Sequence, residues 1–139
     1  MKQYIRWIQR YANFQKALDQ LQRFVGKEDL NEMEEQGLIQ AFDYTFELAW
    51  KTLQDLLEEE YGYAETRGPR PVIMQAFSDG VITKGEQWME MLKDRNRTVH
   101  TYDEAIAKEI IASVKNEYIQ LFQALNSKFQ QIQNQNKQL

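Results

Sequence analysis

The stretch Tyr4-Ile5-Arg6-Trp7-Ile8-Gln9-Arg10-Tyr11-Ala12-Asn13-Phe14-Gln15-Lys16-Ala17-Leu18-Asp19-Gln20-Leu21-Gln22-Arg23-Phe24-Val25 places Tyr4, Trp7, Tyr11, Phe14, Leu18, Leu21 and Val25 at alternating steps of three and four. That spacing draws one buried stripe along an α-helix. Gly26 ends the helix, and a charged connector from Lys27 to Asp29 leads to the next. From about Leu30 to Tyr61, Met33, Leu38, Phe42, Phe46, Trp50, Leu53 and Leu57 share one side of a second helix, whose first turns Gly37 is expected to loosen. The opposite face carries Asp43, Glu47, Lys51, Asp55 and Glu58 and is predicted to meet water or a partner. Glu47 precedes Lys51 by four residues, the favourable order for a helical ion pair.

Both prolines and two glycines then fall between Tyr61 and Pro71, so the helix must stop there and the chain must turn. Pro71 is placed to begin a short helix through Phe77, which Ser78-Asp79-Gly80 closes. A helix from about Lys84 to Arg95 puts Trp88 and Leu92 on one face. Thr101-Tyr102-Asp103-Glu104 reads as a capping box that starts the last helix. Its stripe is Ile106, Ile110, Val114, then Tyr118 or Ile119, then Phe122, Leu125 and Phe129. Residues 1–130 thus read as one helical bundle, and 131–139 as the end of a Gln/Asn-rich tail that has lost its apolar face and is expected to fray. The expected fold is all-α, an up-and-down four-helix bundle with a short accessory helix.

Composition bounds the function. The 139 residues include no Cys and a single His, which removes disulfides and thiolate metal sites and leaves no second imidazole for a transition metal; no metal and no cofactor are expected. Two prolines and six glycines, set against abundant Leu, Glu, Gln, Lys and Ala, agree with helices throughout. A net charge of −4 argues against coating nucleic acid by bulk electrostatics, although a local basic site is compatible with it. Charged residues interrupt every apolar stretch, so neither a signal peptide nor a membrane span is expected, and a cytoplasmic location fits.

The chemistry-bearing stretch is Lys93-Asp94-Arg95-Asn96-Arg97-Thr98-Val99-His100-Thr101-Tyr102. It holds the only imidazole, an acid/base near neutral pH, among cations suited to an anion. In an unbroken helix Arg95 and His100 would lie about 140° apart around the axis, so only a turn between Thr98 and Thr101 lets both reach one cleft. There His100 could act on a ribose 2′-hydroxyl while Arg95 holds the scissile phosphate and Arg97 and the next helix N-terminus add anion-binding groups. The structural alternative is that the arginines are ordinary partners of a helix C-terminus and His100 caps a carbonyl. Tyr102 alone fits half-buried packing, and Trp7, Trp50 and Trp88 read as core or dimer surface.

Arg95-Asn96 followed by His100 and Tyr102 resembles the Arg-x4-His-x-Tyr motif of HEPN domains. It matches the branch of nucleotidyltransferase substrate-binding proteins related to the HepT toxins. The segments Phe42 to Lys51, Ala76 to Ile82 and Trp88 to Leu92, with the proline-arginine loop between, resemble that branch in order and spacing. Thr66-Arg67-Gly68-Pro69-Arg70 departs from the serine-proline form of that loop.

The resemblance implies a homodimer with the motifs of two subunits near a shared cleft, and a minimal nucleotidyltransferase as partner. It implies metal-independent RNA cleavage by Arg95 and His100, with Asn96 in support, in a toxin that the partner antitoxin silences by transferring AMP to Tyr102. The alternative it leaves is a catalytically silent substrate-binding subunit of the transferase. No glycine-serine plus paired-aspartate signature of the transferase occurs here, so nucleotide transfer belongs to the partner. The aromatics Trp7, Tyr11, Phe42, Phe46 and Trp50 exceed what one stripe needs, so some are expected in the dimer interface.

Overall fold

The computed structural model describes residues 2–137, with side chains over 6–136. Within these described residues six α-helices follow one another: α1 (Lys2–Val25), α2 (Glu32–Tyr61), α3 (Pro69–Ser78), α4 (Gly85–Asn96), α5 (Glu104–Ser113) and α6 (Ile119–Lys137). A π-helical turn, Val114–Tyr118, joins α5 to α6 in one continuous rod. The meetings of Trp7 with Phe129 and Phe14 with Phe122, of Arg6 with Asp55, and of Phe46 with Trp88 and Asp43 with Arg95 alternate the direction of α1, α2, α4 and the α5–α6 rod, giving the expected up-and-down bundle, with α3 as the short accessory helix packed on α2 and α4.

Local chemistry sets the helix ends. Asn31 Oδ1 accepts from the Glu34 N–H at 2.8 Å while Glu34 Oε1 accepts from the Asn31 N–H at 2.9 Å, a reciprocal cap that starts α2. Pro69 and Pro71 both sit in the first turn of α3, where their missing N–H groups forfeit no helical bond. Gly37 does not loosen α2. The Phe24 ring lies where its Cβ would be, 2.8 Å from the nearest ring atom, so the glycine lets α1 approach.

Aromatic rings knit the core. Phe129 of α6 meets Trp7, Tyr11 and Phe14 of α1 at centroid distances of 5.3 to 5.9 Å. Phe122, nearer the start of α6, meets Phe14, Phe42 and Trp88 and so joins α1, α2, α4 and α6 at one point. Trp7, Tyr11, Phe42 and Phe46 are therefore fully engaged inside a single chain, which withdraws them from the expected dimer interface and leaves only Trp50 half-exposed. Met33, expected on the buried side of α2, is 84% exposed because it precedes the point where α2 meets α1. The side chain of Tyr4 lies outside the described residues.

The π turn resolves the choice between Tyr118 and Ile119. Both are buried, Tyr118 closing the π turn and Ile119 opening α6. Beyond Phe129 the rod does not lose its apolar face. Ile132 is buried, Asn136 donates to Glu60 Oε2 at 2.9 Å, and α6 continues to Lys137, while the last two residues of the tail lie outside the described residues.

The polar face of α2 is likewise covered. Arg6 and Arg10 of α1 approach Asp55 at 3.4 and 3.2 Å, and Arg6 also reaches Glu58 and Glu59. Burial raises the Asp55 carboxyl above its ordinary range against the pull of Arg10 and Arg6, since Oδ2 takes no hydrogen bond at these contacts. Folding thus favours the neutral form, a contribution fully present below the ordinary Asp pKa and lost as pH rises through the folded value. Asp55→Asn, which copies that neutral form, should therefore cost less stability at about pH 7 than at about pH 4 by urea midpoint. Phe122→Ala should lower stability by about 3–5 kcal/mol in the same assay, since four helices lose one shared ring.

Candidate functional site

The end of α4 is tied down by one buried carboxylate. Asp94 Oδ2 accepts from the Tyr118 hydroxyl at 2.6 Å, and Oδ1 accepts from Arg97 Nη1 at 3.0 Å. Burial, then the bond to Asp94, holds the Tyr118 phenol well above the ordinary tyrosine range, so it acts as a permanent donor. The π turn that aims Tyr118 inward thereby fixes the segment beside it.

Past Asn96 the chain tightens into a 3-10 turn, Arg97–His100. The Thr98 hydroxyl donates to the Arg95 carbonyl at 2.7 Å and the Thr101 hydroxyl to the Thr98 carbonyl at 3.0 Å, satisfying carbonyls that the ending helix leaves free. Thr101 is thus not the cap of α5. That role falls to Asp103, whose carboxylate accepts from the Ala105 and Ile106 N–H groups at 2.9 and 3.4 Å. The helix N-terminus read as an anion site already holds an anion.

The arginines are engaged too. Arg95 Nε donates to Asp43 Oδ1 at 2.8 Å and its Nη2 donates to Glu47 Oε2, both on α2. Glu47 also accepts from the Trp50 indole at 3.2 Å and pairs with Lys51 at 3.2 Å, so the predicted helical pair forms within a larger cluster. Arg97 Nη2 donates to Glu109 Oε2 at 2.6 Å. A guanidinium carries five N–H groups, so the Nη1 edge of Arg95 remains available to a ligand.

His100 and Tyr102 do meet. The Tyr102 hydroxyl lies 3.4 Å from His100 Nδ1, the rings stand edge to face at 5.9 Å, and Tyr102 is 85% exposed. Asn96 lies on the last turn of α4 and is exposed. The structure therefore joins His100 to Tyr102 on one open turn and Arg97 to the base of that turn, while Arg95 faces the α2 carboxylates. Asp43, Glu47, Asp94 and Tyr118 are site residues that sequence reasoning missed. Asp43 and Glu47 stood four apart on one helical face, a visible signal, but nothing local marked Arg95, 48 and more residues away, as their partner.

The bundle carries an arginine, a histidine and a tyrosine in and just beyond the last turn of α4, the residues through which the sequence resembles a HEPN domain. The family described as nucleotidyltransferase substrate binding protein like matches residues 9–131, and this chain belongs to it. The chain is 27% identical over 81 residues to a probable ribonuclease HepT of Haemophilus influenzae, a match spanning 56% of this chain and 56% of that relative. It also resembles a Thermus thermophilus protein of known crystal structure, with a TM-score of 0.77 and 34% identity over 83% of this chain and 97% of that one. Among the described residues no helix is long and apolar enough to cross a membrane.

Tyr118→Phe removes the donor from a buried carboxylate. It should cost roughly 1–3 kcal/mol and speed amide hydrogen exchange across Arg97 to Thr101 more than in α1.

Proposed function

We propose that this chain is a HEPN-type toxin, a metal-independent endoribonuclease that works as a homodimer and is controlled by a minimal nucleotidyltransferase antitoxin. The single observation that carries this reading is the exposed pairing of His100 with Tyr102 on a turn anchored through Asp94. His100 takes the proton of a ribose 2′-hydroxyl, the 2′ oxygen bonds to the adjacent phosphorus, and the 5′ oxygen leaves with a proton. Arg95 holds the phosphate oxygens through its free Nη1 edge, while Asp43 and Glu47 set the plane of the guanidinium. Asn96 supports the phosphate from the same helical turn, and Arg97 orders the turn itself through Asp94.

Control follows from exposure. Tyr102 is open to an enzyme that joins its phenolic oxygen to the α-phosphorus of ATP, releasing pyrophosphate and a proton. The added AMP would stand beside His100 and block entry of RNA. A second reading, a catalytically silent subunit that presents substrate to the transferase, is favoured by the carboxylates already facing Arg95 and Arg97.

Expression in a bacterial host separates the two. As a nuclease the wild type arrests growth and cleaves RNA in EDTA, and His100→Ala loses roughly 100- to 10,000-fold of the rate with its circular dichroism unchanged. Incubation with the transferase, ATP and magnesium adds AMP to the peptide holding Tyr102, and Tyr102→Phe stays toxic beside the partner. If wild type and His100→Ala are equally harmless and neither cleaves RNA, the silent subunit is the right reading.

A further inference from the structure

At the other end of α4, about 15 Å along its axis from the motif, lies a groove of about 910 Å³ between α3 and α4. Its apolar side is formed by Met74, Phe77 and Met89, and Met74 and Phe77 are 58% and 53% exposed, while their neighbours Val72, Ile73 and Ala76 are buried. Phe77 is exposed yet held in place. Its ring sits over Gly85, 2.8 to 3.1 Å from where a Cβ would stand, so only glycine leaves the seat open. An aromatic anchor fixed before binding has little rotamer freedom left to lose.

Around this floor stand Glu86, Glu90 and Glu117, with Lys84 as the one cation among the described residues lining it. None of the three carboxylates forms an ion pair among the described residues. The groove is therefore apolar within and negative at its margin. Two copies of this chain docking symmetrically here would bring like carboxylates together, which costs affinity. RNA would meet the same repulsion.

We propose that the α3–α4 groove is a docking surface for a partner protein's cationic amphipathic helix, its apolar side chains on Met74, Phe77 and Met89 and its lysines or arginines against Glu86, Glu90 and Glu117. The assignment stands apart from the motif turn, since it uses none of those residues and survives whether or not the chain cleaves RNA.

Methyl-labelled methionine NMR tests it with a synthetic helix of Leu and Lys and a Leu and Glu helix of the same apolar pattern. The Leu/Lys helix should shift the Met74 and Met89 methyl signals saturably and leave Met33, exposed elsewhere on α2, in place. The Leu/Glu helix should not bind. Glu86→Lys with Glu90→Lys should weaken the Leu/Lys helix about tenfold or more, and Gly85→Ala, which unseats Phe77 without touching charge, should weaken it as well. Where Gly85→Ala fails to fold, the charge-reversed pair decides alone. Uniform shifts that include Met33, or an affinity unmoved by charge reversal, overturn the proposal. Concentration-dependent self-association abolished by Met74→Glu makes a second copy the occupant instead, and shifts of Met74 on adding an RNA oligonucleotide make it nucleic acid; either result overturns the proposal.

Discussion

Everything in this bundle depends on the meeting of Phe122 with Phe14, Phe42 and Trp88. Four helices converge on that ring, and each buried aromatic there contributes about 1.5–3 kcal/mol from burial and about 0.5–1.5 kcal/mol more from ring geometry. The convergence also sets the direction of α4. With Trp88 pinned at the core, the C-terminal half of α4 runs along α2 and past the π turn, with Met91 and Leu92 buried. Its last turn then comes to rest where Asp43 and Glu47 can take Arg95 and where Tyr118 can take Asp94.

The helices were legible because burial leaves a periodic trace. The stripe of α1 and the breaks at Gly26 and at the proline loop are local facts, and the local chain obeys them. Charge was legible only where both partners lie on one helix, as with Glu47 and Lys51. Arg6 on Asp55, Arg10 on Asp55 and Arg95 on Asp43 are meetings of distant segments, and no spacing rule reaches across them. That is why the polar face of α2 read as meeting water or a partner when it is the seat of the arginines.

The candidate site divides along the same line. His100 and Tyr102 are two residues apart, and their contact follows from the turn between two helices that the sequence already demanded. The cap failed at Thr101 because its hydroxyl is used backward, on the Thr98 carbonyl, leaving Asp103 nearer the first free N–H groups. The idea of an anion between Arg95, Arg97 and the helix N-terminus met a different obstacle. Each of those positive groups has a carboxylate of the same chain against it, so any phosphate must use the guanidinium edges that remain.

The π turn has a consequence for how this chain tolerates change in length. It is in effect a single inserted residue that the rod absorbs without breaking. Because a π turn takes one more residue than an α turn, removing one residue between Val114 and Tyr118 would leave an ordinary α-helix whose two ends keep nearly the same phase. Ile110 could then stay in the core while Tyr118 still faced Asp94. A one-residue deletion from the regular part of the rod has no such outlet and would turn one end by about 100° against the other. The π turn is thus the place where the rod can change length by one residue and still hold the turn bearing His100.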